Sequence, residues 1–146
     1  MRNVTALIAA ALILGACGQP PQVYVDKGYV RLGASPSRPA AAYFTLHGGA
    51  TDATVISISS EVAIKTEMHE SMMQGNVSSM KPIDRLPLPA ESTIEFKPGG
   101  KHVMLFNVNP SVVPGRRISM VFTFSDGQRI QYEPKVIAAG DPAPKG

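Results

Sequence analysis

Short stretches in which apolar and polar residues alternate run along most of the chain, and turn-forming residues separate them. The segments TVISISS (54–60) and EVAIKTEMHE (61–70) both repeat with a period of two, which is typical of strands with one buried face. The same pattern predicts further strands within 23–32, 41–48, 93–100, 101–108, 116–124 and 128–137. With about seven to nine short strands and no helical periodicity, the sequence predicts an all-β antiparallel sandwich or barrel.

Alternation also assigns side chains to a core face or an outer face. In the EVAIKTEMHE strand, the face assigned to the core carries Val62, Ile64, Thr66 and Met68. His69 lies on the opposite face, so we expect Met68 to be buried and His69 to point outward. His102 and Met104 likewise share one face of the strand that contains them. The closing hairpin adds a core face formed by Ile118, Met120, Phe122 and Phe124.

The stretch 71–83 is less regular than its neighbours. Gln74-Gly75-Asn76 predicts a turn, and the VSSMKPI that follows predicts a short strand that ends at Pro82. The chain has 146 residues, no internal repeat and no sign of a second domain, so we expect the strands to share one core.

Composition and charge narrow the class of protein. A hydrophobic content of 44% and a charged content of 17% fit a globular protein and argue against disorder. The net charge is +3 and the basic residues are scattered, which excludes a nucleic-acid-binding stripe. The chain has one cysteine, so it forms no internal disulfide.

The N-terminus predicts export and a lipid anchor. Residues 4–14, VTALIAAALIL, are apolar over the length of a signal-peptide core and are too short to span a membrane. The run ends in Leu14-Gly15-Ala16-Cys17, which resembles the bacterial lipobox, where cleavage precedes a cysteine that is then acylated. The alternatives are an ordinary signal peptide with an incidental cysteine, or a core cysteine.

The lipobox interpretation divides the chain into four parts. We expect a signal peptide at 1–16, the lipidated Cys17 with a tether to residue 22, a β-sandwich domain at 23–138 and a disordered tail at 139–146. The mature protein would be anchored in the cell envelope, on the inner or outer membrane, and would face the periplasm. An acylated Cys17 cannot be a thiolate ligand, so methionine is then the remaining sulfur donor.

The candidate chemistry lies between positions 69 and 104. His69, Met80, His102 and Met104 offer two imidazoles and two thioethers, a soft and neutral ligand set that favours Cu(I). Zinc prefers thiolate, imidazole and carboxylate, and a blue-copper site needs a cysteine. An iron site would need a carboxylate, for which nothing singles out Glu67 or Glu70. The alternative for the methionines is packing in the β core.

The spacing His-x10-Met-x21-His-x-Met resembles the signature of the periplasmic PCuAC family of copper chaperones. The segments EMHESMMQGNVSSMKPI and LPLPAESTIEFKPGGKHVMLFNV resemble the two ligand regions of that family, and VPGRRISMVFTFSDGQRIQYEPKVI resembles its closing hairpin. The resemblance covers residues 23–138. It implies a cupredoxin-like antiparallel β-sandwich with Greek-key connections.

The resemblance also implies a function. It implies one Cu(I) bound by His69, Met80, His102 and Met104. It further implies delivery of that copper to the dinuclear centre of cytochrome c oxidase subunit II, often with a thiol-bearing Sco-type partner.

Some positions depart from the family pattern or lie beside it. His47 stands where many members have asparagine, and we expect it to be a structural or surface residue rather than a ligand. The tail AAGDPAPKG has no Met or His, so we expect one copper site only. Met72 and Met73 flank the candidate site, and they either shield it, serve as transient ligands during copper transfer, or pack in a loop.

We therefore expect a copper chaperone and not an enzyme. An envelope protein that sequesters copper would use the same residues and remains an alternative. A copper oxidase or a small hydrolase is disfavoured because no nucleophile–base motif is present. A lipid-anchored structural module, in which Met and His serve only as packing, is the third alternative.

Overall fold

The structure is a computed structural model that describes residues 18–145, so the predicted signal peptide and Cys17 lie outside the described residues. These residues contain eleven strands: β1 (Tyr24–Arg31), β2 (Ala40–His47), β3 (Ala53–Ser59), β4 (Ala63–Gln74), β5 (Val77–Ile83), β6 (Leu86–Leu88), β7 (Thr93–Phe96), β8 (Lys101–Val108), β9 (Met120–Phe124), β10 (Arg129–Tyr132) and β11 (Lys135–Ile137). Between residues 18 and 145 there is no apolar helix long enough to span a membrane.

The strands form two sheets. The larger sheet has the order β11-β1-β2-β7-β8-β4-β5, and the smaller has the order β10-β9-β3-β6. Most neighbours are antiparallel, but β1 pairs with β11 and β7 with β8 in parallel. Parallel strands need a long crossover connection, and the chain between β1 and β11 passes through both sheets. The predicted all-β class is confirmed, with two parallel pairs added.

The core lies between the sheets and is built from their facing side chains. Phe44 of the larger sheet stacks on Phe96 at a centroid distance of 4.4 Å and meets the edge of Phe122 at 5.0 Å. The core positions predicted by alternation are confirmed for Met68, Ile118, Met120, Phe122 and Phe124, all of which are buried. The prediction was wrong for Ile64, which is 84% exposed. Periodicity shows which residues share a face, but not how far the opposite sheet covers that face.

The edge strand β5 is longer than the sequence predicts. It continues through Pro82 to Ile83 and, in the described part of the chain, pairs with β4 alone. Proline is tolerated there because one side of an edge strand needs no ladder hydrogen bonds. The turn predicted before it is confirmed, with Gly75 at a φ of +61°.

The start of the predicted tail is in contact with β1. The Arg31 guanidinium donates hydrogen bonds to the carbonyl oxygens of Ala139 and Asp141. The Asp141 carboxylate accepts one from the backbone N–H of Ala138 at 2.9 Å. The turn at 138–141 is thus attached to the larger sheet.

Candidate metal centre

Strand register brings the four candidate ligands to one face of the larger sheet. The β4–β8 register sets His69 directly opposite His102, with Met104 two residues along β8. The β4–β5 register sets Met80 opposite Ser71, which is on the same face of β4 as His69. Because Met68 and Val103 fill the core on the inner face, the candidate ligands lie on the outer face.

The two histidines are close together and largely covered. Their ring centroids are 5.9 Å apart and the ring planes are nearly perpendicular. His102 is 4% exposed, and the His69 side chain is 15% exposed. His69 therefore lies on the outer face, as alternation predicts. Its side chain is nevertheless mostly covered and not open to solvent.

Each histidine has one ring nitrogen 3.0 Å from an acceptor oxygen and leaves the other without a hydrogen-bond partner among residues 18–145. His69 Nε2 lies 3.0 Å from a carboxylate oxygen of Glu67, and His102 Nδ1 lies 3.0 Å from the carbonyl oxygen of Gly100. The remaining nitrogens, His69 Nδ1 and His102 Nε2, are buried and have no hydrogen-bond partner among the described residues. Buried polar atoms in folded proteins are nearly always paired, so two such atoms on facing histidines indicate a ligand site.

The two candidate thioethers differ in their exposure. Met104 is partly covered on β8, whereas Met80 on the edge strand β5 is 59% exposed. Met72 and Met73, on the hairpin formed by β4 and β5, are also exposed. The outer face therefore combines covered imidazoles with at least one accessible thioether.

A charged group supports His69 from its own strand. The second carboxylate oxygen of Glu67 binds the ammonium of Lys65, which lies 5.6 Å from the centroid of the Phe106 ring. The hydrogen bond from Lys65 holds the pKa of the Glu67 carboxyl below its usual value, and His69 acts in the same direction. Sequence reasoning missed this role of Glu67. The signal was the alternate spacing of Lys65, Glu67 and His69, which places them on one face of a strand.

The carboxylates considered for an iron site are already paired with other side chains. Glu67 accepts hydrogen bonds from Lys65 and His69, and Glu70 pairs with Lys101 at 3.0 Å. In the part of the chain that the structure describes, no three His, Cys, Asp or Glu side chains are grouped so that they could hold a metal ion.

His47 makes contacts between β1 and β2. Its Nε2 lies 2.9 Å from the Asp26 carboxylate, and its ring stacks on Tyr24 at a centroid distance of 4.2 Å. These contacts explain its presence without a role as a ligand.

Comparison with known sequences relates the chain to lipoproteins. A family model described as "Putative lipoprotein LpqE-like" matches residues 23–136. The protein "Putative lipoprotein Lxx21020" of Leifsonia xyli subsp. xyli (strain CTCB07) is 29% identical over 142 residues, which cover 86% of this chain and 84% of that protein.

Solved structures share the fold at low sequence identity. The copper-bound PCuAC domain from PmoF2 matches with a TM-score of 0.67 at 17% identity, over 83% of this chain and 97% of that domain. The solution structure of CuI-DR1885 from Deinococcus radiodurans matches with a TM-score of 0.64 at 22% identity, over 88% of this chain and 85% of that one. These matches confirm the predicted cupredoxin-like fold class.

Proposed function

This chain belongs to the family described as "Putative lipoprotein LpqE-like", and on that premise we propose that it is a lipid-anchored copper chaperone of the cell envelope. It binds one Cu(I) through His69, Met80, His102 and Met104, and it passes the ion to an acceptor protein. Copper is cargo in this proposal, and the protein is not an enzyme.

The observation that carries the proposal is the pair of buried ring nitrogens without partners. His69 Nδ1 and His102 Nε2 belong to side chains that face each other across β4 and β8. Met104 shares their face, and Met80 joins it from β5. Two neutral imidazoles and two thioethers are ligands that select Cu(I) over harder ions. The copper-bound state of two solved domains with this fold is in line with the proposal.

The arrangement suits transfer as well as binding. Four neutral ligands leave a bound Cu(I) with a charge of only +1, which is less unfavourable to bury than a divalent ion. Met80 is 59% exposed on the edge strand, so an incoming sulfur ligand can displace it first. The copper then moves by ligand exchange, without a free aqueous ion.

Location and acceptor form the finer part of the proposal. The lipoprotein descriptions of the family and of the Leifsonia protein support acylation at Cys17. We infer an anchor in the cell envelope, with the domain facing the periplasm. The acceptor that we propose is the copper centre of cytochrome c oxidase subunit II, reached directly or through a Sco-type protein.

Anaerobic titration tests the binding. The wild-type domain should take one equivalent of Cu(I) from a chromophoric chelator, and the double variant His102→Ala/Met104→Ala should lose that ability. If the two proteins compete equally weakly, the copper proposal fails.

Delivery and sequestration are separated by two further measurements. The loaded protein should transfer copper to a purified oxidase copper domain, and deletion of the gene should lower oxidase activity when copper is scarce. Copper sensitivity with normal oxidase activity would instead indicate a sequestration protein.

A further inference from the structure

Glu67 and Gly100 hold the two facing histidines by different ring nitrogens. We propose that Glu67 is a positioning residue that keeps the proton of His69 on Nε2, so that His69 binds copper through Nδ1 while His102 binds through Nε2. This inference rests on the proposed function for the identity of the metal.

The protonation of His69 follows from its partner. An ionised carboxylate only accepts hydrogen bonds, so the His69 Nε2 that lies 3.0 Å from Glu67 Oε2 carries the proton. In a neutral imidazole the lone pair is then on Nδ1. That atom is buried and has no hydrogen-bond partner among the residues described.

His102 is held in the opposite tautomer by the backbone. The carbonyl oxygen of Gly100 only accepts, so His102 Nδ1, at 3.0 Å from it, is the protonated nitrogen. The lone pair is on Nε2, which is the buried atom without a partner on this ring. On both rings the lone pair is thus on the buried nitrogen that has no hydrogen-bond partner among the described residues.

Glu67 is the middle member of three cross-strand pairs that share one face of β4 and β8. The pairs are Lys65 with Phe106, Glu67 with Met104, and His69 with His102. Lys65 lies over the Phe106 ring, where a cation is attracted by the face of the aromatic system. Its ammonium occupies one carboxylate oxygen of Glu67. The other oxygen is thereby directed to His69.

The carboxylate affects the metal through the imidazole. A hydrogen bond from a ligating histidine to a carboxylate fixes the ring orientation and makes the free nitrogen more basic. Loss of such a partner commonly weakens metal binding by about 10–100-fold. Glu67 would therefore set the copper affinity without contacting the ion.

Copper affinity in three variants provides the first measurement. Glu67→Ala should bind Cu(I) about 10–100-fold more weakly than wild type in chelator competition. Glu67→Gln should lose less, because its amide oxygen still accepts a hydrogen bond. The matched control is Glu70→Ala, which removes the ion pair with Lys101 on the same two strands and should leave the affinity unchanged.

The ring nitrogens of the copper-free protein provide the second measurement, which a purely structural role would not affect. Nitrogen-15 spectra should place the proton on Nε2 of His69 and on Nδ1 of His102. In Glu67→Ala, His69 should become a mixture of tautomers while His102 stays unchanged. Addition of Cu(I) to wild type should shift His69 Nδ1 and His102 Nε2.

Three results would overturn the inference. They are a wild-type His69 protonated on Nδ1, a Glu67→Ala variant with wild-type affinity, and a weakened variant whose His69 tautomer is unchanged. If Glu67→Ala does not fold, the wild-type spectrum decides by itself. If the wild-type protein does not compete for Cu(I), the proposed function fails, and the copper-free spectra still test the role of Glu67.

Discussion

His69 Nδ1 and His102 Nε2 are buried without hydrogen-bond partners among the described residues. A buried polar atom left in that state destabilises a fold by about 1–3 kcal/mol. In the copper complex that we propose, the metal ion would remove this penalty. The two thioethers carry no such cost, because sulfur in methionine is a weak acceptor that packs well in apolar surroundings.

Exposed methionines on the β4–β5 hairpin offer a test of the ligand assignment. Met80→Leu should weaken Cu(I) binding by at least about 10-fold. Removing the hydrogen-bond partner of a ligand already weakens metal binding by about 10-fold or more, and removing the ligand itself should weaken it further. Its stability should change by less than about 0.5 kcal/mol, because the side chain is exposed. Chelator competition and urea unfolding measure the two quantities.

Met73→Leu is the matched control for that variant. Met73 is 68% exposed on the same hairpin, and it lies outside the predicted ligand set. Its replacement should leave both affinity and stability unchanged. If Met73→Leu weakens binding as much as Met80→Leu does, the ligand set is wrong at this position.

At the scale of the element, the β4–β5 hairpin extends beyond the rest of the sheet. The backbone N–H of Ser71 donates to the carbonyl oxygen of Gly100 at 3.0 Å, just before β8 begins. Beyond that bond, β5 is the only strand paired with β4 within residues 18–145. Met80 therefore depends on the hairpin turn for its position beside His69.

The hairpin turn depends on Gly75. Its φ of +61° is in the left-handed region, and an added Cβ would contact nothing within 4 Å. Gly75→Ala should therefore destabilise the hairpin through backbone strain alone, by about 1–2 kcal/mol. Amide hydrogen exchange along β5 should become faster in this variant.

A second substitution at the same position serves as the control. Asparagine tolerates the left-handed conformation better than alanine, so Gly75→Asn should have a smaller effect on exchange. Equal effects from the two variants would show that something other than the backbone angle holds the turn.

At the scale of the whole molecule, the core and the candidate site lie on opposite faces of one sheet. The core fills the space between the sheets, where Phe122 meets Phe44. The candidate ligands lie on the outer face. Stability and copper binding should therefore respond to different substitutions.

Two apolar substitutions test this separation. Phe122→Ala should lower the free energy of unfolding by about 3–5 kcal/mol, because it leaves a cavity in the core. Ile64→Ala should change it by less than about 0.5 kcal/mol, because Ile64 is exposed. Urea unfolding compares the two variants. A large loss for Ile64→Ala would mean that this residue is buried after all, as alternation predicts.

Much of the fold could be predicted from the order of residues alone. Alternation located the strands and assigned Met68 and Phe122 to the core, because a strand turns successive side chains to opposite faces. The turn at Gly75 was predicted because few residues other than glycine accept its backbone angle. The residue types at 69, 80, 102 and 104 also indicated soft-metal chemistry, because imidazole and thioether groups favour Cu(I) wherever they meet.

Tertiary structure alone decided how those residues meet. Local alternation cannot show that β4 and β8 are neighbours, or that His69 is opposite His102. Sheet order and register depend on packing between residues that are far apart in the chain. Alternation also cannot show that the two histidines are covered, that Ile64 is exposed, or that Glu67 contacts His69. Burial and hydrogen-bond partners are properties of the assembled sheet, and they give each imidazole one free nitrogen.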